Sequence, residues 1–79
     1  MRFLVEYDRQ HGQLVTFSTF HDAEKQKADD ARLSLEIELN RLGTRHEVVL
    51  LEAASEEALR RTHRRYFEDL VSLATLPEQ

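Results

Sequence analysis

The chain has 79 residues, 11 of them basic and 15 acidic, giving a formal net charge of −4, and it contains no cysteine. At this length a single domain is expected, with a core that supplies no more than about 3 to 5 kcal/mol, and disulfides and thiolate metal sites are excluded. The acidic balance argues against a general binder of nucleic acid or acidic membrane, and no apolar run is long enough to cross a bilayer.

The opening stretch, MRFLVEYDR, is interrupted by Glu6 and Asp8 too soon to read as an export signal, so a cytoplasmic location is the default expectation. Phe3, Val5 and Tyr7 alternate with Leu4, Glu6 and Asp8. Val15, Phe17 and Thr19 alternate in the same way with Leu14, Thr16, Ser18 and Phe20, and both patterns predict strands. Between them, Gly12 can take the positive φ of a short hairpin loop and Asp8 can hydrogen-bond its own turn.

Asp22 is placed to cap a long helix, with Glu24 in its first turn and Gly43 as the left-handed stop after Leu42. Ala28, Ala31, Leu35, Leu39 and Leu42 form the stripe expected to face a sheet. Leu33 and Ile37 point the other way. Val48 to Leu51 is a continuous apolar run, which suits a third strand buried on both sides. Ser55, followed by Glu56 and Glu57, starts a second helix expected to run to about Ala74, before Pro77. These elements predict an α+β fold of two layers and ββαβα order, one domain over 1–79. Its three-stranded sheet is mainly antiparallel, and a right-handed crossover lays the third strand beside the first, in the order 2-1-3.

The second helix concentrates charge. Glu56, Arg60, Arg64 and Glu68 would form one row, and Glu57, Arg61, Arg65 and Asp69 the next, so that acids and arginines cancel. A polyanion site needs uncompensated positive potential. Arg60, Arg61, Arg64 and Arg65 are therefore the candidates for nucleic-acid contact only if the acids point elsewhere. Beside these rows, Leu59, Thr62, His63, Tyr66, Phe67, Leu70 and Leu73 recur at helical spacing as the face toward the sheet.

No catalytic, cofactor-binding or metal-binding residue stands out. His11, His21, His46 and His63 are not spaced as metal ligands, Asp29 and Asp30 diverge on a helix, and no nucleophile elbow or phosphate loop is present. A pocket between protomers could draw on Arg45, His46, His63 and Tyr66.

What remains is an apolar surplus. Leu4 and Leu14 lie opposite Val5 and Val15 in the strand alternation, and Leu33 and Ile37 lie on the wrong side of their helix, so a second covering layer is wanted. A C₂ homodimer is the simplest source of one, with Leu33, Ile37, Leu4 and Leu14 as its candidate interface. The reading is of a small bacterial-type, non-enzymatic protein-interaction module that associates with itself. Nucleic-acid binding through the second-helix arginines is the alternative.

Overall fold

A computed structural model describes residues 1–67. In chain order it contains β1 (Arg2–Asp8), β2 (Gln13–Phe20), α1 (Lys25–Leu42), β3 (Glu47–Glu52) and α2 (Glu56–Thr62), with 3-10 turns over Asp22–Glu24 and Arg64–Tyr66. The sheet is three-stranded and antiparallel throughout, in the order β2-β1-β3, as the strand patterns and the crossover rule predict. Among the described residues no helix is long and apolar enough to cross a membrane.

The hairpin closes as its residues dictate. Gly12 has φ 64°, and Asp8 Oδ1 accepts the backbone N–H groups of Gln10 and His11 at 3.0 and 3.1 Å. At the far end of α1, Gly43 has φ 72°, and Thr44 N–H reaches back to the Leu39 carbonyl at 2.9 Å. The start of α1 differs from expectation. His21 occupies the cap position of the preceding 3-10 turn, and its N–H donates to Glu24 Oε1 at 2.8 Å. Asp22 is engaged elsewhere, accepting the N-terminal ammonium at 2.7 Å.

Pairing across the strands sorts the side chains onto two faces. Phe3, Val5 and Tyr7 share one face with Thr19, Phe17 and Leu14 of β2 and with Leu51, Val49 and Glu47 of β3. The chain after α2 lies on this face: Val5, Tyr7 and Tyr66 form its centre, with Leu14, Phe17, Val49, Leu51 and Phe67 packed around them. Leu4 and Glu6 share the other face with Ser18, Thr16, Leu50 and Val48. Helix α1 touches all three strands yet adds nothing to the first cluster, so it closes this second face, with Ala28 fully buried.

Several details correct the reading from sequence. A bulge pairs Glu6 with Thr16 but Tyr7 with Leu14, leaving Val15 as an extra residue that is half exposed. The bulge changes the parity of the strand, so Leu14, not Val15, joins the face of Val5. Leu42, in the last turn of α1, is exposed instead of continuing the stripe of Ala28. Val48 to Leu51 meet packing on both faces but, on an edge strand, are only partly buried.

The largest departure is in α2, which ends at Thr62 after 7 residues. The Thr62 hydroxyl donates to the carbonyls of Ala58 and Leu59 at 3.2 and 3.3 Å, competing with the helical ladder, and His63 leaves the helix at φ −126°, ψ 51°. Beyond the break, Tyr66 and Phe67 pack onto the sheet. The expected continuation to Ala74, with Glu68, Asp69, Leu70, Leu73 and Pro77, lies outside the described residues.

Candidate functional site

Helix α1 separates its apolar residues cleanly. Ala28 is fully buried, and Ala31, Leu35 and Leu39 are partly buried on the same side. On the opposite side Leu33 and Ile37, one turn apart, are 56% and 59% exposed. Of the other candidate interface residues, Leu4 is buried within the protomer and Leu14 is packed against the Val5–Tyr7–Tyr66 cluster. The outer patch of α1 is therefore the part of the expected surface that the described residues do not cover.

The arginines of α2 are held by carboxylates. Arg60 Nε donates to Glu56 Oε2 at 2.9 Å, and its guanidinium lies 4.4 Å from the Phe67 ring centre. Arg61 pairs with Glu57 at 3.0 Å. Arg65 does not join that row, because the helix has ended; its Nη2 donates to Glu47 Oε2 at 2.7 Å, and its guanidinium stacks over Tyr66. Burial works to lower the Arg65 pKa, but Tyr66 and Glu47 more than offset this and hold it above its ordinary value. The Tyr66 hydroxyl also donates to Glu47 Oε2, and burial pushes its pKa up. Glu47 thereby ties the C-terminal part of the described chain to β3. Its other oxygen, Oε1, is buried without a hydrogen bond, with Arg9 Nε 3.9 Å away.

A polar corner lies at the hairpin end of the sheet, on the face that α1 closes. Glu6 is 5% exposed and sits on the central strand. Thr16 Oγ1 donates to its Oε1 at 2.7 Å, and His46 Nδ1 lies 2.6 Å from its Oε2. His46 Nε2 is 3.7 Å from Asp8 Oδ2, which is in turn 2.6 Å from His11 Nδ1. The hydrogen bond from His11 holds the Asp8 carboxyl below its ordinary pKa. An open recess of about 350 Å³ borders this chain of groups, bounded by Asp8, Gln10 and His11 from the hairpin and by Thr44, Arg45 and His46 from the α1–β3 loop. Among the described residues, no three histidine and carboxylate groups are arranged to hold a metal ion.

Sequence spacing missed this corner because Glu6 and His46 are 40 residues apart. A signal was nevertheless present. Order 2-1-3 makes β1 the central strand, and a carboxylate in the middle of a strand covered on both faces must find donors across the sheet. The four residues expected at a shared pocket are divided between two places. Arg45 and His46 line the recess just described, whereas His63 stacks on Tyr66, which borders a separate recess with Leu14 and Phe67.

Comparison of the chain with protein-family models, with curated proteins and with solved structures finds no match.

Proposed function

We propose that this chain is a protein-association module that pairs with a second copy of itself, with the outer side of α1 as a contact surface. One observation carries the reading: Leu33 and Ile37 stand side by side, 56% and 59% exposed, on a helix whose opposite side already packs on the sheet. Adjacent aliphatic side chains left in water by so small a core gain most from a second surface, and a two-fold pair is the commonest way to supply one. The polar corner is read as structural, because its groups satisfy each other. Glu6 is held between Thr16 and His46, and Asp8 by His11.

Nucleic-acid binding through Arg60, Arg61, Arg64 and Arg65 is the weaker reading, since Glu56, Glu57 and Glu47 neutralise Arg60, Arg61 and Arg65. Sedimentation equilibrium at tens of micromolar should give at least twice the protomer mass, and Ile37→Glu should lower that mass. A single-chain mass for the unaltered protein at that concentration removes the proposal. An unchanged mass for Ile37→Glu removes α1 as a contact surface.

A further inference from the structure

The two outer strands of the sheet end it differently. β2, QLVTFSTF, mixes polar with apolar residues and is bent by the bulge at Val15, both of which discourage another strand from adding to it. β3, EVVLLE, has neither device. It carries no proline, lysine or arginine, and it runs in unbroken register along β1, from Arg2 opposite Glu52 to Tyr7 opposite Glu47.

One hydrogen bond fixes which backbone groups of β3 face outward. Ala53 N–H donates to the Met1 carbonyl at 3.0 Å, so Met1 and Ala53 form a hydrogen-bonded pair. Such pairs alternate along an antiparallel ladder, which makes Phe3–Leu51, Val5–Val49 and Tyr7–Glu47 pairs of the same kind. The N–H and C=O groups of Leu51, Val49 and Glu47 thus point to β1, and those of Val48 and Leu50 point away from it. Among the described residues no strand lies beyond them. An apolar strand offering a row of free donors and acceptors is a template for strand addition.

We propose that β3 pairs antiparallel with β3 of a second copy about a two-fold axis at Val49, doubling the sheet. The inference rests on the self-association reading, but it uses a different surface from the outer side of α1, because an edge contact extends the sheet sideways while Leu33 and Ile37 point away from it. A two-fold axis at Val49 keeps like faces together and sets Val48 opposite the second copy's Leu50, with reciprocal main-chain hydrogen bonds. Charge fits the same register: Glu47 falls opposite the second copy's Leu51 and Glu52 opposite its His46, so no acid faces an acid.

The unaltered chain has no cysteine, which makes a register-specific cross-link readable. Val49→Cys brings two copies of residue 49 together as a non-hydrogen-bonded pair about 4.5 Å apart between Cα atoms, within disulfide range. Leu51→Cys leaves its two copies about 13 Å apart and serves as the control. Mild oxidation, in an Ile37→Glu background that removes the α1 contact, should convert Val49→Cys to a covalent dimer and leave Leu51→Cys monomeric. In the unaltered protein, amide exchange at Val48 and Leu50 should slow by about tenfold or more as concentration rises through the dimerisation range. A chain that sediments as a dimer, yet shows neither the residue-49 cross-link nor concentration-dependent protection, overturns the edge pairing and leaves self-association standing. A chain that stays a single protomer throughout overturns both.

Discussion

On the side of β1 that carries Phe3, Val5 and Tyr7, ring packs against ring. Phe3 stacks on Phe17 with centroids 5.6 Å apart, Tyr7 meets Tyr66 edge-on at 5.4 Å, and Phe67 meets Phe17 edge-on at 5.5 Å. On the side that carries Leu4 and Glu6, the same strand hides a carboxylate, and what closes the face at that end is hydrogen bonding to Thr16 and His46. The first face draws its stability from apolar area, which is additive and tolerant of direction. The second depends on a few donors being in the right place, so its cost appears when one partner is removed and the other stays buried.

The widest test of this contrast is Phe3→Ala. Phe3 is fully buried, and its truncation should lower stability by about 3 to 5 kcal/mol, read from the urea midpoint at unchanged slope. Glu6→Ala on the other face should cost about 1 to 3 kcal/mol, while Glu6→Gln, which keeps an acceptor for Thr16, should cost less. If the two Glu6 variants lose equal stability, the charge matters and the hydrogen-bonding shape does not. Ser55→Ala asks how far the aromatic face depends on the short helix beside it. Ser55 Oγ accepts Ala58 N–H at 3.1 Å, and its loss should cost about 1 kcal/mol.

Acid should expose the polar corner more gently. Hydrogen bonds hold the carboxyls of Asp8, in that corner, and of Asp22 and Glu24, at the start of α1, below their ordinary pKa values, so at these three groups the folded chain binds fewer protons in the acid range than the unfolded one. The stability they contribute is fully present above about pH 5, beyond the ordinary carboxylate values, and is lost as pH falls through the lowered values. Asp8→Asn should flatten part of that decline in a series of urea midpoints across the acid range. Smallest of all, Arg61→Ala should change stability by less than about 0.5 kcal/mol, because both members of its pair are exposed.

Local chemistry made much of this fold legible. The period-2 runs, Gly12 at the hairpin, Gly43 behind α1 and the crossover rule together lead to the observed sheet order. What escaped depended on tertiary context. A bulge leaves no mark in an alternating pattern, so Val15 and Leu14 change places without any change in composition. Thr62 and His63 fit a helical stripe, and nothing in their spacing marks the break that accompanies the Thr62 hydroxyl bonds and the packing of Tyr66 and Phe67 on the sheet. The surplus of exposed aliphatics was readable at Leu33 and Ile37, because helical periodicity alone sets their direction. It was misread at Leu4, because the central strand is covered on both faces by its own chain.

The extra residue in β2 has a further consequence. Because Tyr7 already pairs with Leu14 and Glu6 with Thr16, excising Val15 would rejoin neighbours that are in step with β1, and no other side chain would have to change sides. The hairpin therefore holds a point at which its length can shorten by one without rewriting the interior. In the regularly paired parts of β1 and β2, away from the bulge, the same deletion would turn every residue on one side of the cut to the opposite surface.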